Sequence, residues 1–438
     1  MTEYAYSRKE PSISSETSTS SMRSPSGRPT TSVRAMAPFW RTGVVWKTRG
    51  MGTSVPTAPD AVANLADVFP SCLVALGAAD DAWLRNDGLE ARITLRPARA
   101  AIVVLVDGLG SAALAARAGH ARWLTGAKGT GTAKKLRSGF PTTTAAALST
   151  LTTGRSPGTH GIVGYSGWNP DTGAVMNLLG GWDTEVPADW FLTRTLFTRA
   201  AELGLDPVVV GPDRYRSSGM TANVLGGARY VSADTVPQRV DAALAETTTG
   251  RSLVYLYVPE LDSIGHKYGW QSDRWTAALE LLDGELARLD ARGADDVGVL
   301  VTADHGVLDV PDHANIAIDP LLLTDVVGIA GDPRCRQLTV APGTDVRALV
   351  GAFRARYGKK AYVASRAEAI EAGWFGHVSD QVLPRIGDVL VVARGSWAFN
   401  DDRALREDET PKRMIGQHGA MTDEETIVPL RLAGAFAL

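Results

Sequence analysis

Cysteine is almost missing from this chain: Cys72 and Cys335 are the only two in 438 residues. They match no redox or metal-ligand spacing, which excludes a disulfide framework and a thiolate zinc site and fits a reducing compartment, expected to be the cytoplasm. An excess of one charge sign is also missing. Forty-five Lys and Arg against 48 Asp and Glu leave a net −3, so no argument arises for nucleic acid or an acidic membrane surface. No run approaches the roughly 18–20 consecutive apolar residues of a membrane span, and the N-terminus lacks the apolar segment of a secretory signal. Histidine is scarce enough, at seven, for each to be weighed.

What is present is 44% hydrophobic and 21% charged sequence, the profile of a soluble globular protein with length for a large core. Residues 1–58 differ. SSETSTSSMRSPSGRPTTSVR is rich in Ser, Thr, Pro and Arg and poor in large apolar residues, so it reads as a leader, either disordered or an artefact of start assignment upstream of Met36 or Met51. A transit-peptide reading is opposed by Glu3, Glu10 and Glu16.

From about Asp60 the pattern becomes globular. VANLADVFPSCLVALG reads as a helix broken at Pro70, and LEARITLRPARA as a polar, edge-like strand. AIVVLVDGLG, residues 101–110, reads as a buried parallel strand ending in a tight turn at Asp107. Helix, glycine stop and short buried strand then recur: through VVVG, through LVYLYV and through VGVLVTADHG. This alternation predicts an α/β fold with a mainly parallel sheet sandwiched by helices. The expected division is a core over 59–325, a small α/β insertion over 326–400 with a βαβ-like pattern, and a return to the core over 401–438.

The chain is organised around FPTTTAAALSTLTTGRSPGTHGIVGY, residues 140–165. Thr142, Thr143 and Thr144 stand where a helix begins, before AAALSTL with good helix propensity. A hydroxyl there either caps the helix or acts as a nucleophile, since a helix N-terminus favours negative charge and binds phosphate. Local sequence alone leaves both readings open.

The strand ends weigh on that choice. Asp107 closes one core strand, Asp262 and His266 lie in the loop after another, and Asp304 with His305 follows a third. His418 sits in a Gly-flanked loop, GQHG. Each alone is an ordinary polar residue. Together they form an oxygen and nitrogen donor set without thiolate, suited to Zn²⁺, with Mn²⁺ as the alternative. Six such groups are too many for one tetrahedral ion and right for two, as phosphoryl transfer uses.

The set VDG, FPTTTAAALSTLTTG, ELDSIGHKYG, TADHG and GQHG resembles the alkaline phosphatase superfamily, and within it the type I phosphodiesterase/nucleotide pyrophosphatase family. The resemblance runs from about residue 100 to the C-terminus. It implies an alkaline phosphatase-like core, with one metal on Asp262, His266 and His418. The other metal falls to Asp107, Asp304, His305 and the nucleophile's oxygen. In the family the nucleophile precedes a helix-closing Thr-Gly by a fixed nine positions; counting back from Thr153 selects Thr144. Thr142 and Thr143 become capping or shaping neighbours, and His160 a residue that orients the loop.

The resemblance therefore implies a metal-dependent phosphodiesterase or nucleotide pyrophosphatase that cleaves phosphoester or phosphoanhydride bonds of a small molecule through a phosphothreonyl intermediate. A phosphomonoesterase or phosphonate hydrolase on the same two-metal core is the alternative, and a non-catalytic metal- or phosphate-binding protein the alternative of another class. A sulfatase is disfavoured, because Thr144 stands where that branch has Cys or Ser. The phosphoglycerate mutase branch is disfavoured as well, since residues 165–250 show no large inserted domain. Where animal nucleotide pyrophosphatases carry a phosphate-contacting Asn, this chain has Tyr165. Tyr165 and Trp168 are the candidate substrate contacts, with Trp182, Trp190 and Phe191 in the same aromatic cluster. His120, His313 and His377 are assigned no role.

Overall fold

The computed structural model describes residues 55–57, 63–126, 134–403 and 413–437. The expected leader lies, apart from 55–57, outside the described residues.

The two larger sheets use eleven strands, in chain order β1 (Ala100–Val106), β2 (Lys134–Arg137), β3 (Asp206–Gly211), β4 (Arg229–Ser232), β5 (Ser252–Val258), β6 (Val297–Thr302), β7 (Val326–Asp332), β8 (Cys335–Val340), β9 (Ala361–Ser365), β10 (Val389–Ala393) and β11 (Ile427–Gly434). The central sheet has the order β2-β11-β6-β1-β5-β3-β4. From β6 to β4 every neighbouring pair is parallel. Only β11 runs antiparallel to its neighbours. Continuous apolar runs suit this position, because a parallel strand with helices on both faces has no solvent side. All seven residues of β1 and all six of β6 are buried.

Flanking helices include α1 (Val68–Ala75), α2 (Thr144–Thr153), α3 (Glu260–Tyr268) and α4 (Asp273–Arg292). Pro70 does not break α1. It is the third residue of that helix, in the first turn, where the missing N–H has no intrahelical partner to lose. The stretch before β1 is no strand either; it runs as irregular chain tied to Ala75 and Asp296 through the N–H groups of Ala98 and Arg99.

Strands β7 to β10 form the second sheet, in the order β7-β8-β10-β9 and antiparallel throughout. The βαβ-like pattern expected there takes a split form: β8 and β9, joined by the helix that follows β8, both run antiparallel to the β10 that lies between them and so run parallel to each other. Helix α5 (Val346–Tyr357) packs on this sheet, with Phe353 and Tyr357 buried in its own apolar cluster. Among the described residues no helix is long and apolar enough to cross a membrane.

Candidate active site

The carboxyl ends of β1, β5 and β6 meet the N-terminus of α2 at one edge of the central sheet, where open α/β sheets hold ligands. Thr144 is the first residue of α2, Thr153 its last, and Gly154 closes it with φ +67°. Extended backbone at Thr143 marks the helix start, yet its side chain caps nothing. Thr143 Oγ1 is buried without a hydrogen-bond partner. Thr142 Oγ1 is used elsewhere, donating to the Ala420 carbonyl (2.8 Å) and accepting from the Gly419 N–H (3.0 Å). Thr144 Oγ1 lies 3.2 Å from His305 Nε2. None of the three hydroxyls is spent on capping, so the ordinary explanation for them falls away.

Asp262 and His266 sit on α3 rather than in a loop, because the chain turns helical two residues after β5. Their i,i+4 spacing puts both on one helix face, with His266 Nε2 3.1 Å from Asp262 Oδ2. Gly108 makes the approach of β1's turn possible. Its φ is +75°, and a Cβ there would meet Asp262 Cα at 3.0 Å. Asp304 Oδ1 accepts from the N–H groups of Gly108 (3.2 Å) and His305 (2.9 Å), which joins the β1 and β6 turns.

The three imidazoles share one arrangement. Each Nδ1 faces a backbone carbonyl: Gly416 at 2.8 Å for His266, Gly306 at 3.3 Å for His305 and Thr142 at 2.8 Å for His418. The Nδ1–H donates there and turns Nε2 toward the carboxylates, a tautomer lock found around metal-binding histidines. Burial holds His305 at about 4 and His418 at about 3, so both stand neutral as a ligand must.

The carboxylates show the complementary state. Asp107 Oδ1, Asp262 Oδ1 and Asp304 Oδ2 are buried with no hydrogen-bond partner. Burial first, then Asp304 and Asp262, drives Asp107 well above the usual carboxylate range, against a hydrogen bond from the Tyr257 hydroxyl. Burial and Asp262 push Asp304 up to about 6. Burial is the largest single influence on Asp262 and opposes its charge, but His266, His418 and His305 together hold that carboxyl low, and His266 itself is raised to about 9. Three carboxyl groups crowded out of water, two of them resisting ionisation, are costly to charge together, and divalent cations would relieve that cost. Ligand atoms of Asp107, Asp304 and His305 lie within 4.8 Å of one another, as do those of Asp262, His305 and His418. His266 falls outside the second group, its imidazole being paired with Asp262 Oδ2. The donors therefore fit a hard-to-borderline divalent ion, with His305 between two clusters.

Asp107, Thr144, Asp262, His266 and His418 line a cavity of about 410 Å³. Tyr165 lines it, its hydroxyl accepting from Asn177 Nδ2 at 3.0 Å. Trp168 is not among the lining residues; its ring lies against the backbone of Gly328 on β7. Trp182 and Trp190 are buried in the core. His160 is fully buried, accepting from the Ile162 N–H and facing Thr150 Oγ1 at 3.1 Å. His120 pairs with Glu280 on the surface. Sequence reasoning missed Tyr257, which holds Asp107, and the cavity residues Asp332 and Arg336. Tyr257 had one signal, its place near the end of a core strand. Asp332 and Arg336 had none, since they come from the second sheet.

A family model of type I phosphodiesterase / nucleotide pyrophosphatase matches residues 101–421. The chain belongs to this family. Membership in the type I phosphodiesterases makes it a phosphoryl hydrolase, and the match spans every residue of the site just described. No curated protein matches the chain. Among solved structures, murine ectonucleotide pyrophosphatase / phosphodiesterase 5 superposes with a TM-score of 0.61 at 18% identity, covering 76% of this chain and 88% of its own. Phosphonoacetate hydrolase from Sinorhizobium meliloti 1021 gives 0.60 at 20%, covering 78% and 92%. The human counterpart of the murine protein gives 0.59 at 16%, covering 76% and 87%. At these identities the likeness is one of fold.

Proposed function

We propose that this phosphodiesterase-family member is a metal-dependent phosphodiesterase/nucleotide pyrophosphatase that works by double displacement through Thr144. The observation that carries the reading is the uncapped Thr144 hydroxyl, 3.2 Å from His305 Nε2 and beside three buried, unpartnered carboxylate oxygens. Asp262, His266 and His418 would hold one divalent ion; Asp107, Asp304 and His305, with Thr144, would hold the other. Zn²⁺ suits the donors first, Mn²⁺ second. When bound, the ions supply Lewis acidity that lowers the threonine hydroxyl's pKa and offsets charge on the phosphoryl oxygens.

Thr144 Oγ1 gives up its proton to solvent and forms the new bond to phosphorus as the bond to the leaving oxygen breaks, and the leaving oxygen departs with a proton from solvent. Water then attacks the phosphothreonine, its oxygen bonding to phosphorus as the Thr144 Oγ1–P bond breaks and the hydroxyl regains a proton. The N–H groups opening α2 face developing negative charge, since a helix N-terminus favours anions. Tyr257 keeps Asp107 oriented, and the Nδ1 contacts to carbonyls fix the rings. Tyr165 borders the substrate space, with β7 to β10 as its cap.

An inactive form of the murine relative was solved in complex with AMP, which supports a nucleotide-type diester here. The phosphonoacetate hydrolase was solved with phosphonoacetate, which makes phosphonate hydrolysis the second reading. A panel of bis-p-nitrophenyl phosphate, p-nitrophenyl phosphate and phosphonoacetate, with Zn²⁺ or Mn²⁺, separates the two. Preference for the diester is expected. Faster turnover of the monoester or of phosphonoacetate overturns the diesterase reading, and bound metal without turnover of any compound would mark a non-catalytic binder.

A further inference from the structure

Two charged residues from the second sheet reach the catalytic cavity without a part in the scheme above. Asp332 ends β7 and Arg336 is the second residue of β8, so one tight turn carries both. Nearby Arg334 is a useful contrast. It is fully buried and gripped at two points by Glu425, at 2.7 and 2.8 Å. Arg336 has no such partner. Its Nε donates to the Phe399 carbonyl (2.8 Å) and its Nη1 reaches the Gly331 carbonyl (3.5 Å). Among the described residues Arg336 makes no ion pair, and its Nη2 has no hydrogen bond to the protein.

A guanidinium is charged at every working pH and presents its donors as a rigid fork. Two carbonyls hold this fork in place at the wall of the cavity that Thr144 also lines, with no carboxylate of the described residues within ion-pair distance. Asp332 is the main charge acting on it, from beyond ion-pair distance. That carboxyl is 7% exposed, its Oδ2 is buried without a partner, and its hydrogen bond comes from the Tyr165 backbone. Arg336 therefore faces the cavity as an oriented cation awaiting an anion.

We propose that Arg336 is the subsite for a second anionic group of the substrate, a carboxylate or phosphate attached beyond the scissile phosphorus. The inference rests on the phosphodiesterase reading and narrows it: preferred substrates carry an acidic oxygen away from the reacting centre. Asp332 limits where that group sits, since a carboxylate beside the fork repels an anion that strays from it.

The test uses three p-nitrophenyl phosphodiesters that differ in the second alcohol. One carries 2-carboxyethyl, one 2-phosphonooxyethyl, and one the neutral, similarly shaped 3-methylbutyl group. The readout is the ratio of kcat/KM for each charged ester to that for the neutral ester, which cancels differences in folded fraction. The wild-type ratio should exceed one, and the larger of the two charged ratios identifies the acid. Arg336→Met should lower the ratio about ten- to a hundredfold, the worth of a hydrogen bond to a charged group. Arg336→Lys should restore part of it. Asp332→Asn should raise it, by removing a like charge. A wild-type ratio at or below one, or a ratio unmoved by Arg336→Met, overturns the proposal. A ratio lowered by Asp332→Asn also overturns it, because the recognised group would then be a donor that Asp332 accepts. If none of the three esters turns over, the diesterase reading fails instead, and calorimetric binding of the charged and neutral esters decides the Arg336 subsite by the same ratio.

Discussion

Thr142 and Gly419, 277 residues apart in the chain, are joined by a single hydroxyl. Thr142 Oγ1 accepts from the Gly419 N–H at 3.0 Å while donating to the Ala420 carbonyl at 2.8 Å. The Thr142 carbonyl receives His418 Nδ1 at 2.8 Å. Residue 142 thus ties the start of the nucleophile helix to the loop bearing His418. Thr142→Val keeps the shape and strands a buried N–H and a buried carbonyl, costing about 1–3 kcal/mol. A lower melting temperature and weaker metal uptake are expected by thermal unfolding and metal titration. Unchanged metal affinity would show that the loop holds His418 without this bond.

Thr144→Ala should remove turnover on phosphodiesters, by about a thousandfold or more if the hydroxyl is the nucleophile. Stability should change little, since Ala suits a first helical position and the hydroxyl caps nothing. Thr144→Ser, with a hydroxyl at the same place, should keep measurable activity. Steady-state kinetics together with metal analysis checks both, and full activity in the alanine variant would remove Thr144 from the mechanism.

Chelation should both inactivate and destabilise the protein. Asp107, Asp262 and Asp304 each hold a buried oxygen without a partner, so a cation that binds only the folded state adds about 2.7 kcal/mol at a hundred times its dissociation constant. Melting temperature should fall with a chelator and recover on adding Zn²⁺ or Mn²⁺. A melting temperature indifferent to chelator would argue against metal in these clusters.

His160 gives a pH signature away from the metals. Burial pushes its imidazole down to about 3 from an ordinary 6.5. The unfolded chain therefore binds a proton below pH 6.5 that the folded chain refuses until about 3. Stability is intact above 6.5 and is lost as pH falls through that window. His160→Asn retains an acceptor near Ile162 and should flatten the dependence of melting temperature on pH between 6.5 and 4 relative to wild type. A parallel dependence in both proteins would mean that His160 takes up its proton without unfolding.

The sequence by itself determined the frame of this protein. Continuous apolar runs such as AIVVLV and LVYLYV are legible because a strand buried on both faces has no polar side to hide. The residues that punctuate their ends, Asp107, Asp304 and His305, are legible because parallel sheets place chemistry at strand carboxyl ends. Pro70 misled because its effect depends on position in the helix, which hydrophobic pattern does not register. The place of β10 in the second sheet escaped for a similar reason: a strand–helix–strand string does not say which strand will lie between its two parallel members.

Tertiary structure alone decided how the threonines divide their work. Thr142, Thr143 and Thr144 are identical in sequence, and they separate only because Gly419 and His305 come to meet the first and the last from 277 and 161 residues away, while the buried Thr143 hydroxyl meets no partner. It also decided which polar atoms remain unpaired. A buried charge is costly or useful according to its neighbours, and those of Arg334 and Arg336, two residues apart, differ because Glu425 reaches one and an open cavity faces the other.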